Sequence, residues 1–465
     1  MKTHFWKALP LAIFLVFQPA AQAGVLKDHP GHWLGDMKIP EGQTVKIGAE
    51  IFARADGTIW ASVASPDQDA YDIPLQSALE EGASVSLKHA VFTLKLTWDK
   101  DHFDGEWKQG DAPLKFELRQ VAAFPAKARP QTPKGPFPYK DETLAIAGAN
   151  GVTLGATLSI PNGTTNPNVV VLVHGSGPGT RDLGVLGHKH FAVLADHLAR
   201  QGVAVLRYDK RGNARSTGDY EQHTTAHLID DLHAVVKAMK ARKEFKRVGV
   251  IGLSEGPGLA AAVAARDPKS VDFLVSMAGI GMNGLDTMLV QDRVVAKDHG
   301  ADPAQVERLM AYVRGFYDVL MAHDEAAPRI AALKAFQQTQ PAGVMELVKK
   351  FKMDGGSLSL DWAAKPFMIA ALRSNPPADW RRVRSPVLLL NGSLDHQVPA
   401  EENLGGLVAT LKAGGNRMVE SEVLPSLNHL FQTAKTGKED EYGQIDETIA
   451  PIALKRIAAF VVKQR

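Results

Sequence analysis

From residue 169 onward, short unbroken apolar runs alternate with helix-length segments, and this alternation limits the fold more than any other feature. Residues 169–173, 203–208, 247–253, 271–277, 386–390 and 418–424 read as strands, and residues 187–200, 225–242, 256–266, 401–412 and 447–463 as helices. A strand that is apolar at nearly every position is buried on both faces, which requires helices above and below the sheet. The rhythm therefore predicts an α/β fold with a doubly wound, mostly parallel sheet. Residues 142–160 read as a hairpin that leads into it.

About a hundred residues of helical pattern interrupt the rhythm, placing a helical cap at about 281–380. Val306, Leu309, Met310, Val313, Phe316, Tyr317 and Leu320 recur at the spacing of one buried helix stripe. Seven of the twelve methionines fall in this insertion. Met fills irregular apolar gaps, so they suit either the cap's own core or a plastic acyl pocket.

The strand at 247–253 runs into Gly252-Leu253-Ser254-Glu255-Gly256, a G-x-S-x-G that opens an Ala-rich helix. A serine on a sharp strand-to-helix turn projects above the sheet, and its neighbours at ±2 must lack side chains. Ser254 is the candidate nucleophile. His174-Gly175-Ser176-Gly177-Pro178 ends the 169–173 strand. A glycine-rich loop there lets a backbone N–H reach a reacting carbonyl, so the oxyanion hole is assigned to the N–H groups of Ser176 and Glu255, with Gly177 second to Ser176. The acid and base should follow in the order Ser, acid, His. Asp395, in Gly392-Ser393-Leu394-Asp395-His396, and His429, in Asn428-His429-Leu430-Phe431, each follow a strand and fit those roles. His396 should point away if Asp395 points in, and Asp286 is the fallback acid.

Ahead of the alternation, residues 24–124 read as β-rich. Runs at 44–54, 58–65, 85–87, 90–98 and 114–121 are separated by turn signals, including residues 101–105, and a small barrel or curled antiparallel sheet accommodates them. Five prolines within 125–138 mark residues 125–139 as a semi-extended linker, with the α/β domain running from 140 to 465. At the start, residues 1–23 have the form of a secretory signal peptide. Lys2 and Lys7 precede a short apolar run, and Ala21-Gln22-Ala23 is a small-x-small cleavage site. The expectation is export to the periplasm or medium without a stable membrane anchor.

Composition narrows the chemistry. The chain is 45% hydrophobic and 22% charged, which excludes a disordered chain and a polytopic membrane protein. Lys plus Arg is 53 and Asp plus Glu is 51, so no charge excess points to a nucleic-acid partner. Cysteine is absent, which removes disulfides, thiolate metal sites and a cysteine nucleophile. The pairs His188/His190 and His223/His227 lack a third ligand, so they read as solvated histidines, with no metal and no cofactor expected. Arg207-Tyr208-Asp209-Lys210-Arg211-Gly212 reads as a loop staple.

Taken in order, HGSGP, RYDKRG, GLSEG, GSLDHQVP and NHLF resemble the α/β-hydrolase superfamily from Glu142 to Arg465, and most of all its bacterial carboxylesterase and serine-aminopeptidase-like branch. That branch usually carries RYDKRGxGxSxG, whereas this chain has Ala214 at the second glycine. Trp33-Leu34-Gly35 and Gly105-Glu106-Trp107-Lys108 are similar to a β module often found ahead of such hydrolases. The leading expectation is a cofactor-free hydrolase of small carboxylic esters. A serine peptidase or aminopeptidase acting on small peptides or amino-acid amides is the alternative. It would need a cap carboxylate for the substrate ammonium, from among Asp292, Glu307, Asp318, Asp354 and Asp361. A non-catalytic envelope-binding protein with a hydrolase-like domain is a third reading. For the β module the roles considered are glycan binding and homodimer formation.

Overall fold

The computed structural model describes residues 24–464 apart from 41 and 111, so residues 1–23, read above as a signal peptide, lie outside the described residues. The first unit is a nine-stranded antiparallel sheet built from β1 (Gly31–Lys38), β2 (Thr44–Ala53), β3 (Ile59–Ser65), β4 (Ala70–Ile73), β5 (Ser77–Glu81), β6 (Ser84–Lys88), β7 (Thr93–Asp99), β8 (His102–Lys108) and β9 (Leu114–Val121). Its order is β4-β3-β2-β1-β9-β8-β7-β6-β5, so β4 and β5 remain edges and the sheet curls without closing. One core that includes Trp33, Ile51, Val63, Leu94 and Phe103 fills its concave side. Residues 101–105, read above as a turn, are mostly strand. Asp99 pairs with His102, and Lys100, at φ 56°, makes the reversal. The alternation of buried Phe103, exposed Asp104 and buried Gly105 is the period-2 pattern of a strand with one wet face.

The second unit is an eight-stranded sheet. A hairpin of β10 (Tyr139–Ala147) and β11 (Thr153–Pro161) precedes β12 (Val169–Val173). A two-stranded ribbon, β13 (Gly184–Val185) and β14 (His188–Lys189), follows. The chain then returns to the main sheet with β15 (Ala204–Tyr208), β16 (Val248–Leu253), β17 (Phe273–Met277), β18 (Val387–Gly392) and β19 (Val419–Leu424). The order is β10-β11-β15-β12-β16-β17-β18-β19, parallel from β15 to β19. The strands are apolar throughout because both faces are covered. Val169, Val171 and Val173 pack under helices Thr225–Ala241 and Gly256–Arg266. Val170 and Leu172 face helices His190–Ala199 and Pro451–Lys463.

After β12 the chain goes to β15 on one side and then crosses to β16 on the other. In sheets of this kind ligands bind at the strands' carboxyl ends beside such a switch point. The parallel register places Val173 opposite Gly252, which brings the His174 loop alongside Ser254.

Helices from Gly284–Asp298 to Pro376–Trp380 form the cap. The whole predicted stripe of Pro303–Met321 is buried. Met310, Met353 and Met368 lie in the cap's core, with Met288, Met321 and Met345 packed against it. Of the two roles weighed for these methionines, cap packing is the one these six serve.

The proline-rich segment has no regular structure up to β10, but it is strapped down rather than free. Buried Arg129 donates to the carbonyls of Leu186 (2.7 Å), Gly443 (2.9 Å) and Ile445 (2.9 Å), and Gln131 donates to Ile449 O (2.8 Å). The β module docks through Arg215. Its guanidinium pairs with Glu50 at 2.7 Å and lies 3.8 Å over the Phe52 ring, while its carbonyl accepts from Ala55 N at 2.7 Å. No described helix is long and apolar enough to cross a membrane.

Candidate active site

Ser254 occupies the turn between β16 and helix Gly256–Arg266 with φ at 61°, the left-handed region that non-glycine residues seldom adopt. Its N–H bonds to Met277 O at 2.9 Å. The two glycines are sterically required. A Cβ on Gly252 would lie 2.4 Å from Pro257 N, and one on Gly256 would lie 2.5 Å from Val173 O. Ser254 is partly exposed at the tip of an otherwise buried strand.

Asp395 and His429 are brought together from the loops after β18 and β19. Nδ1 of His429 lies 2.9 Å from Oδ2 and 3.0 Å from Oδ1 of Asp395. Oδ1 also accepts from the N–H groups of Gln397 (3.0 Å) and Val398 (2.8 Å), which fixes the carboxylate plane. Asn391 secures that loop by donating to Val398 O at 2.8 Å. Asn428 does the same for the histidine loop, accepting from Leu430 N at 3.1 Å and Gln432 N at 3.0 Å. Both side chains are almost fully buried. His396 turns away to Asp298 of the cap at 2.8 Å. Asp286 caps its own helix through Asn283 and makes no contact with His429, so the fallback acid is discarded. Ser254 Oγ forms no hydrogen bond to His429 in this structure; such bonds often form only once substrate is bound.

The glycine-rich loop lies against the serine, since a Cβ on Gly175 would be 2.9 Å from Ser254 Cβ. Lys210, read as part of a structural staple, has a more specific task. Its buried Nζ donates to Gly175 O at 2.6 Å and to Gly177 O at 2.9 Å. In a trans peptide the C=O and N–H point in opposite directions. Holding Gly175 O therefore turns the Ser176 N–H away from Lys210, whereas Gly177 O shares its peptide with Pro178, which has no N–H. The N–H groups of Ser176, Gly177 and Glu255 have no backbone acceptor among the described residues. Burial lowers the Lys210 pKa, an effect opposed by nearby Glu255.

The rest of the RYDKRG segment is a staple, as expected. Asp209 takes Arg181 Nη2 at 2.6 Å and Arg181 N at 2.6 Å, and Arg211 Nε meets Asp231 at 2.6 Å. Ala214, where the branch usually has glycine, keeps the left-handed backbone at φ 41°.

The histidine pairs are not solvated as expected. His174, His188, His190 and His223 are buried, and desolvation lowers their pKa values to about 3, 4, 3 and 4. His188 bonds to Thr448 Oγ1 at 2.9 Å, and His227 closes a capping box with Thr224. Among the described residues the one cluster with metal-ligand spacing is Asp99, His102 and Asp104, on the β module.

A cavity of about 1490 Å³ beside the site is not lined by Ser254, Asp395 or His429. It meets the site at Ser176 and Gly177 and extends between the β module, the hydrolase sheet and the cap. Of the five cap carboxylates considered, Asp361 alone lines it. Asp292 is buried with Tyr317 and Ser357, Glu307 pairs with Arg293, and Asp318 pairs with Arg314.

The family described as serine aminopeptidase, S33, matches residues 166–433. Esterase EstD of Thermotoga maritima is 24% identical over 430 residues, covering 90% of this chain and 89% of its own. A 2-hydroxy-6-oxo-2,4-heptadienoate hydrolase of Pseudomonas putida is 28% identical over 249 residues, covering 51% of this chain and 75% of its own. The structure of the Pyrococcus furiosus esterase Pf2001 superposes with a TM-score of 0.40 at 19% identity, covering 70% of this chain and 90% of that one.

Proposed function

The chain belongs to the serine aminopeptidase S33 family of α/β-hydrolases and is a carboxylesterase-like hydrolase, and on that premise we propose that it cleaves small carboxylic esters through Ser254, His429 and Asp395. The observation that carries this reading is the buried Asp395–His429 hydrogen bond at the same carboxyl end of the parallel sheet as a serine held at positive φ. In this mechanism Ser254 Oγ attacks the ester carbonyl while His429 Nε2 takes its proton. The oxyanion forms opposite the N–H groups of Ser176 and Glu255, with Gly177 as the second candidate on the glycine-rich loop. Asp395 holds the proton on Nδ1 and stabilises the imidazolium. His429 then protonates the departing alcohol, leaving an acyl-enzyme. Water, deprotonated by His429, attacks the acyl carbon, and the acid departs as Ser254 regains its proton.

Ser254→Ala should lower kcat by about 10⁴–10⁶-fold on a short-acyl nitrophenyl ester, because triad members act as a unit. It should also abolish labelling by a fluorophosphonate. Ester hydrolysis close to wild type in that variant would refute the assignment.

A further inference from the structure

We propose that the cavity between the β module and the hydrolase sheet is a substrate subsite for an ammonium group, with the Asp72 carboxylate as its partner. This rests on the ester-hydrolase reading above and adds the substrate's charge to it. Asp72 belongs to neither the triad nor the cap, and it makes the β module part of the active site rather than an appendage.

The first support is position. Ser176 and Gly177 of the glycine-rich loop, Asp72 and His89 of the β module, and Trp362 and Phe367 of the cap all line one cavity. At about 1490 Å³ it exceeds the roughly 300–1,000 Å³ usual for small-molecule sites. A substrate whose carbonyl lies under the Ser176 N–H can therefore extend into this space.

The second support is charge. Seven carboxylates and five Lys or Arg side chains line the cavity, so its balance is negative. Four of the cations already have acidic partners, among them Lys189, which lies 3.9 Å from Asp182. Arg181 binds Asp209 at 2.6 Å, Arg215 binds Glu50 at 2.7 Å, and Lys365 binds Glu221 at 2.8 Å. Asp72 has neither a hydrogen bond nor an ion pair among the described residues. Glu50 and Asp209 face it with like charge, while Arg215 and Lys189 offset them only in part. Burial and those neighbours raise its carboxyl to about 6, a strain on the ionised form that a bound cation would relieve.

The third support is backbone conformation. Asp72 sits inside β4 at φ 52°, beside a register irregularity between β3 and β4 at Val63 and Ser65. A non-glycine residue held in this region is a pointer to function when it lies on a ligand cavity. The Trp362 and Phe367 rings line the same cavity, and aromatic faces attract ammonium groups.

The test uses two pairs of esters that differ only in charge. Butyrylcholine against 3,3-dimethylbutyl butyrate places the cation on the alcohol side. Alanine ethyl ester against ethyl 2-methylpropanoate places it on the acyl side. We expect the full-length enzyme to prefer the charged member of at least one pair in kcat/KM. Asp72→Asn should remove that preference, raising KM for the charged ester by about 10–100-fold as expected when a charge contact loses its partner, while the neutral ester changes far less. Asp72→Gly, which tolerates the positive φ, should do the same and guards against a folding defect in the first variant. Absence of preference in both pairs, or a preference that survives both substitutions, would overturn the proposal. The charged-to-neutral ratio reads on Asp72 whichever group is the nucleophile. An active Ser254→Ala enzyme would therefore sink the mechanism without being mistaken for failure of the subsite.

Discussion

Replacing Asp395 with Asn tests the acid assignment through a single proton. Oδ1 of Asp395 accepts from Gln397 N and Val398 N at 3.0 and 2.8 Å, while both oxygens lie 2.9–3.0 Å from His429 Nδ1. An asparagine has one accepting oxygen and one donating nitrogen. The two backbone N–H groups claim the oxygen, so the amide NH₂ must face Nδ1. That forces Nδ1 to accept and moves the imidazole proton to Nε2, where a base is required. The wrong tautomer should cost about 10⁴-fold in kcat. At about 1.36 kcal/mol per decade this is about 5.5 kcal/mol of barrier. Because the exchange is isosteric and keeps both backbone hydrogen bonds, the melting temperature should change little. The assay is steady-state hydrolysis of a nitrophenyl ester at pH 7.5, with thermal melting as the folding control. A kcat within tenfold of wild type in a normally folded Asp395→Asn enzyme would refute the reasoning.

Two further outcomes follow from buried groups around the site. Lys210→Met frees the Gly175 and Gly177 carbonyls, so the Ser176 N–H loses its orientation, and kcat should fall about 10²–10³-fold, as for loss of one oxyanion donor. Unchanged kcat in that variant would show that the loop holds its shape without the ammonium. His174 and His190 are kept neutral, with pKa values near 3, below the unfolded value of about 6.5. The unfolded chain therefore binds more protons between those values. Stability is fully present above pH 6.5 and is lost as pH falls toward 3, by several kcal/mol in total. Urea midpoints at pH 7 and pH 5 measure this, and an equal midpoint at the two values would contradict it. His190→Leu should weaken the pH dependence, since it removes a buried ring whose pKa is lowered by desolvation.

The β/α alternation, the G-x-S-x-G turn and the cap stripe were legible in the sequence because each depends on local periodicity or on residues adjacent in the chain. An apolar run such as Val169–Val173 has one stable setting, between two helical layers. Ser254 was legible because its strained turn needs glycines two residues away on either side. The β module was harder to read. Its β4 and β5 are short edges, and residues 101–105 carry turn-forming types inside a strand. Local propensity misleads there because cross-strand pairing decides the conformation.

Other features depend on contacts between distant parts of the chain. His188, His190 and His223 are spaced like exposed residues, and the packing of other segments buries them. Nothing local marks Lys210 as the residue that holds two carbonyls 33 and 35 positions away. Arg215 and Asp72 acquire their places only when the β module docks on the hydrolase sheet. By itself the sequence determined the parallel sheet, the cap and the candidate Ser254, Asp395 and His429, since strand ends and their order constrain all of these. The tertiary structure alone decided which acid meets His429, which side chain holds the glycine-rich loop, and which carboxylates line the cavity. Those depend on distances of a few ångströms between residues far apart in the chain, and hydrophobic periodicity carries no information at that scale.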